Sequence, residues 1–63
     1  MKASELIEGL KIITRTQPDA EVDAQHDIIY AGEYKPRKLT AEERARMKEL
    51  NWFESEDAWA HFT

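Results

Sequence analysis

Residues 39–63, LTAEERARMKELNWFESEDAWAHFT, decide the fold. Thr40-Ala41-Glu42-Glu43 has the form of a capping box, in which the Thr hydroxyl and the Glu carboxylate each take one backbone amide of the first helical turn. Leu39 precedes it, and the usual staple partner position holds Arg44, which offers only its aliphatic stem. The spacing predicts a helix to about Leu50, with Met47 and Leu50 facing inward beside Leu39. Asn51 suits a left-handed C-cap. Trp52-Phe53 and Ala58-Trp59-Ala60-His61-Phe62 then flank Glu54-Ser55-Glu56-Asp57, which reads as a hairpin with an acidic tip. In the second arm Trp59 and His61 share one face, and Ala58, Ala60 and Phe62 share the other.

Outward from this stretch, residues 4–16 read as a helix with Ser4 as N-cap. Leu6, Ile7, Leu10 and Ile13 recur at helical spacing, and Lys11 and Arg15 stand where cations favour the helix dipole. Gly9 weakens the middle of this helix, so its presence points to close packing against a sheet. Gln17-Pro18-Asp19 ends the element. Ala20, Val22 and Ala24 alternate with Glu21 and Asp23, and Ile28-Ile29-Tyr30-Ala31 is the best strand in the chain. These two runs make either a hairpin or one bent strand, and Gly32 ends them. Glu33–Lys38 reads as a loop in which Pro36 blocks a helix.

The predicted fold is therefore α+β, in the order α-β-β-α-β-β. Two helices pack on one side of a small antiparallel sheet of three or four strands, within a single domain over 1–63. Leu6, Ile7, Leu10, Ile13, Val22, Ile28, Tyr30, Met47, Leu50, Phe53, Trp59 and Phe62 are the expected core.

With 63 residues, 35% of them charged and no Cys, the composition excludes a multidomain enzyme, a disulfide-stapled miniprotein and Cys-ligated zinc. The opening Met1-Lys2-Ala3-Ser4-Glu5 fits no signal or transit peptide, and no membrane span is expected. A cytoplasmic protein is the expectation. The net charge of −4 is unevenly spread. Residues 1–30 carry three basic and six acidic side chains, residues 31–48 six basic and three acidic, and residues 49–63 four acidic and no basic ones.

Catalysis finds little support. Gly9 and Gly32 build no phosphate loop, Ser4 and Ser55 have capping and turn roles, and so short a chain seldom walls a cleft. His26, Asp27 and His61 lack the close ligand spacing of structural metal sites. No catalytic residue, metal or cofactor is expected. The chemistry that stands out is cationic and aromatic. Lys35, Arg37, Lys38, Arg44 and Lys48 cluster in sequence, and Tyr34 and Trp52 are the aromatics expected to stay partly exposed beside them. Arg with exposed Tyr and Trp is the usual composition of a protein-binding hot spot. The same segment could hold nucleic acid, but the negative net charge and acidic ends oppose an approach to phosphate. Two lesser readings are a homodimer through a strand edge and acidic faces that imitate nucleic acid.

MKASELIEGLK, the run Pro-Asp-Ala-Glu-Val and the 39–63 stretch together resemble small accessory proteins of tailed bacteriophages and prophages. The shared motifs are the Thr-capped Glu-rich helix, the Leu-Asn-Trp-Phe corner (Asn51 where Gly is more usual), the acidic turn and the closing Trp-x-x-Phe-Thr. The family carries no assigned activity, so no functional residue is carried over. The resemblance implies a bacterial host cytosol and a partner that is a host or phage protein. The expected function is non-catalytic binding that modulates or inhibits that partner.

Overall fold

The computed structural model describes residues 2–62. Met1 and Thr63, which the sequence places in the opening segment and the closing arm, lie outside the described residues. The elements are α1 (Ala3–Thr16), β1 (Val22–Gln25), β2 (Ile28–Ala31), a 3-10 turn (Pro36–Lys38), α2 (Ala41–Glu49), β3 (Trp52–Ser55) and β4 (Ala58–Phe62). The architecture is α+β with a four-stranded antiparallel sheet in the order β1-β2-β4-β3, as the hydrophobic pattern predicts. Residues 20–31 form a hairpin, with Val22 opposite Ala31 and Gln25 opposite Ile28. The final hairpin aligns Trp52 with His61 and Ser55 with Ala58. Its acidic tip turns through Glu56 and Asp57 at φ 53° and 62°, the two left-handed residues that match strand twist.

Local chemistry accounts for most boundaries. The Thr40 hydroxyl accepts from the Glu43 amide at 3.1 Å, and the Glu43 carboxylate accepts from the Thr40 amide at 2.9 Å. Asn51 ends α2 at φ 66° and Gly32 ends β2 at φ 60°. α1 begins earlier than Ser4 suggests. Lys2 is its N-cap, and the Glu5 carboxylate accepts from the Lys2 amide at 3.3 Å, which leaves Ser4 inside the first turn. Pro36 opens a 3-10 turn rather than a plain loop, consistent with its fixed φ.

Both helices lie on one face of the sheet. Ile13, Ala31, Leu39, Met47, Leu50, Trp52 and Trp59 form the buried cluster, with Leu6, Leu10, Ile12 and Ala20 packed against it. Gly9 admits the Trp52 ring, since a Cβ there would stand 2.0 Å from the indole Nε1. Two ion pairs tie α1 to α2. Arg46 Nη2 donates to Glu8 at 3.0 Å, and Arg15 Nε donates to Glu43 at 2.6 Å.

The expected core needs correction at several positions. Ile7 is 53% exposed, Val22 56% and Phe62 60%. Ile7 points away because Leu6, Gly9 and Ile13 form the inward stripe, and Ile12 takes its place beside the core. Val22 projects toward the helices, but the helical layer stops short of β1, whose four residues are all exposed. Phe53, Phe62, Ile28 and Tyr30 stand on the opposite face of the sheet from Trp52 and Trp59, as the strand register dictates.

Candidate functional site

The seven residues singled out in the sequence separate into three groups. Tyr34, Arg44, Lys48 and Trp52 meet around one groove of about 220 Å³, completed by Pro36, Phe53 and Trp59. Lys35 instead lines a shallow concavity of about 490 Å³ with Gln17, Asp19, Glu21 and Glu33. Its ammonium pairs with Glu33 at 2.8 Å, which holds the Glu33 carboxyl below its usual range. Arg37 and Lys38 sit on the exposed 3-10 turn.

The groove is built by local bonding. The Tyr34 amide donates to the Asp57 carbonyl at 2.8 Å, so the chain leaving β2 is pinned to the tip of the last hairpin. That places the Tyr34 ring edge-on to Trp59, with centroids 4.7 Å apart. Arg44 donates to the Leu39 carbonyl at 2.8 Å and the Pro36 carbonyl at 3.2 Å. Its guanidinium thus closes the 3-10 turn and also supplies charge to the groove rim. Lys48 follows one helical turn later.

Trp52 differs from the expectation of an exposed contact residue. It is 4% exposed, its indole N–H points to the Glu5 carbonyl at 3.4 Å, and His61 packs edge-on to it at 5.1 Å. The cause is Gly9, whose missing side chain leaves room for the ring. Trp52 walls the groove from inside. His61 is also buried, with Nε2 2.8 Å from the Leu50 carbonyl and Nδ1 2.6 Å from the Phe62 carbonyl. One ring nitrogen thus meets the carbonyl at the C-terminal end of α2 and the other the carbonyl of the next residue in β4.

The far side of the sheet, opposite the helices, carries the exposed Phe62 and the half-buried Phe53, Ile28 and Tyr30. One row there crosses all four strands as Phe53, Ala60, Tyr30 and Asp23. A second row holds Phe62, Ile28 and Gln25. The Phe53 and Phe62 rings stack at 4.9 Å with an interplanar angle of 31°. Ala60 is fully buried yet outside the main core cluster, covered by the large side chains of its own face. An antiparallel sheet with one solvated face ordinarily alternates apolar inward with polar outward, and here Asp23, Gln25 and Ser55 follow that rule while Ile28, Tyr30, Phe53 and Phe62 depart from it. Phe53 also lines the groove, whose other strand residues, Trp52 and Trp59, stand on the helix side of the sheet.

The sequence holds a signal for this face. Phe53 and Phe62 sit at opposite parity to Trp52 and Trp59 in their strands, and two helices can cover only one side. A core list that admits both parities overlooks it. Among the described residues no helix is long and apolar enough to cross a membrane. The chain matches no protein-family model, no curated protein and no solved structure.

Proposed function

We propose that this chain is a small non-catalytic binding module that docks on another protein through the uncovered sheet face and the adjoining groove. A single observation carries the reading: Phe62, 60% exposed at the end of β4, packs against Phe53 of the edge strand β3 on the sheet face opposite the helices. Exposed apolar patches of this kind mark interaction sites. The open face offers aromatic rings, and Arg44 and Lys48 line the groove that Phe53 also reaches. Aromatic side chains with Arg are the usual composition of a hot spot. In this reading Tyr34, Arg44 and Lys48 contribute at the rim, and Trp52 contributes by supporting the groove wall.

The resemblance to phage accessory proteins extends the proposal: the partner is a bacterial host protein, bound in the cytosol and modulated or inhibited by the contact. Direct nucleic-acid binding is the weaker reading. Lys35 and Arg46 spend their charge on Glu33, Glu8 and Glu49, which thins the basic segment.

The test is retention of a partner by the immobilised chain from nuclease-treated bacterial extract, at low and moderate salt. A stoichiometric protein held at both salts by the native chain, and lost with Phe62→Glu, supports the reading. Retention that Phe62→Glu leaves intact moves the contact elsewhere. Retention of nucleic acid alone, weakening by orders of magnitude with salt, replaces the reading with phosphate binding by the 34–48 segment.

A further inference from the structure

Resting on the reading of this chain as a protein-binding module, we propose that the β3 edge takes an extended segment of the partner as an added strand. The segment presents an acidic side chain to Arg44 and Lys48, with an apolar residue on either side of it toward Phe53.

The backbone of β3 is arranged for this. β3 is an edge strand in the order β1-β2-β4-β3. Its hairpin turns through Glu56 and Asp57, both left-handed, between the paired residues Ser55 and Ala58. A two-residue turn of this kind closes on a hydrogen-bonded pair, and such pairs alternate along the ladder. Phe53 and Ser55 therefore bond to β4, while the amides and carbonyls of Trp52 and Glu54 point out along the open edge. Among the described residues no other backbone group takes them. Such a row is a template for strand addition, in which main-chain bonds supply affinity and alternate side chains supply specificity.

The side chains around the edge define the segment. Residues of an added strand alternate between the two faces of the sheet. Those level with Trp52 and Glu54 fall on the helix side, and those level with Phe53 and Ser55 on the far side. On the helix side Trp52 lines the groove together with Arg44 and Lys48. Arg44 donates only to the neutral carbonyls of Pro36 and Leu39. Neither cation has an acidic partner among the described residues, whereas Arg15, Lys35 and Arg46 each have one. A carboxylate level with Trp52 meets this unspent charge. The position level with Glu54 takes a neutral side chain, because the Glu54 carboxylate stays on that side, accepting from the Asp57 amide at 3.0 Å. The neighbours of the acid fall on the far side, where the half-buried Phe53 offers an apolar surface.

The same charge argument selects between the two edges of the sheet. The concavity beside the start of β1 is lined by Asp19, Glu21 and Glu33, and Asp23 stands exposed on the strand itself. An acidic segment is repelled there and attracted at β3. An edge of four residues makes a short contact, below the size of stable interfaces, so the added strand is held reversibly.

The probe is the end-blocked peptide Thr-Val-Thr-Val-Glu-Val-Thr, titrated to about 2 mM against the full chain because a contact of this size is weak. Amide hydrogen exchange reads the result. Saturation should slow the Trp52 and Glu54 amides by about tenfold or more and leave those of Phe53 and Ser55, already bonded, nearly unchanged. Replacing the Glu of the probe by Lys should weaken binding about tenfold at low salt, and so should Lys48→Glu in the chain. The Lys probe should bind Lys48→Glu more tightly than it binds the native chain. Lys11→Glu, the same charge change on the exposed side of α1, should leave the affinity as it was.

A probe that does not bind overturns the inference. Binding that slows other amides and not these two, or that treats the Glu and Lys probes alike, overturns it as well. So does a sedimentation mass that rises with chain concentration while the same two amides slow, since the edge then belongs to a second copy. If the probe fails while Phe62→Glu still releases a protein captured from extract, the binding-module reading stands without the added strand. If neither the probe nor a partner protein is held, both readings fall.

Discussion

Gly9 is the position where one atom decides most. A Cβ there would lie 2.0 Å from Trp52 Nε1 and 2.4 Å from Cε2, against a ring that is itself 4% exposed. Ala favours a helix over Gly by about 1 kcal/mol. The displaced indole loses its packing and its bond to the Glu5 carbonyl, and overpacking of a close-fitted core costs about 1–3 kcal/mol. Gly9→Ala should therefore lower the melting temperature despite the better propensity, and a gain would mean that the ring is not seated there. Glu43 is the second such position. The Arg15 side chain foremost, and the Thr40 amide next, lower its pKa from 4.5 to about 2. Above pH 4.5 the carboxylate is ionised in the folded and unfolded chain alike, and its contribution to stability is fully present. Between 4.5 and about 2 the unfolded chain takes up the proton that the folded state resists, so the contribution falls with pH and is lost below about 2. Glu8, held low by its bond to Arg46, acts in the same sense. Thermal melts should show Glu43→Gln less stable than the native chain at neutral pH, with the gap closing toward pH 2. A gap that does not vary with pH would place the ion pair with Arg15 outside the stability of the fold. Gly9 and Glu43 are both legible in sequence, the one as a glycine inside a helical stripe and the other as the third position of a capping box. Ser4 reads as a cap and is not one, because the helix already begins at Ala3, where Glu5 accepts from the Lys2 amide.

At the scale of the elements, the last hairpin carries the least favourable turn. Glu56 and Asp57 both adopt left-handed backbone angles, where a side chain is disfavoured and glycine is not. Asp57→Gly relieves one of them. The backbone bonds at this residue survive, because its amide donates to Glu54 Oε2 and its carbonyl accepts from the Tyr34 amide. A gain of about 1 kcal/mol is expected, which in a domain this size raises the melting temperature by roughly 4–8 °C. A loss would mean that the Asp57 carboxylate contributes more than the strained angle costs. The elements themselves are the most legible part of the chain, since each rests on local chemistry: the Thr40 box, Asn51 and Gly32 at left-handed ends, alternation in the strands. The pairing of β2 with β4 is different. Ile28 opposite Phe62 and Ala31 opposite Trp59 join segments about thirty residues apart, and nothing local specifies that juxtaposition. It follows from covering the face that holds Trp52, Trp59 and Ala31. The candidate groove shares this property. Tyr34 reaches Trp59 only because its amide binds the tip of the final hairpin, whereas Arg44 and Lys48 are neighbours by helical spacing and are visible at once.

For the whole molecule, the consequential fact is that two helices cover one side of a four-stranded sheet. The sequence contains enough large apolar residues for two faces, and composition alone assigns them all to one core. Strand parity separates them. Trp59 belongs to the covered side, at 5% exposure, and Phe62 to the open side, at 60%. The two sides should answer truncation differently. Trp59→Ala removes a buried ring and should cost about 3–5 kcal/mol, most of the stability of a domain this small. Phe62→Ala removes a ring that the folded chain leaves mostly in water, so at dilute concentration the melting temperature should shift little. Differential scanning at dilute concentration reads both variants in one experiment. A Phe62→Ala deficit as large as that of Trp59→Ala would mean that the face beyond the helices belongs to the core of the single chain. The sheet would then have no free side to offer a partner.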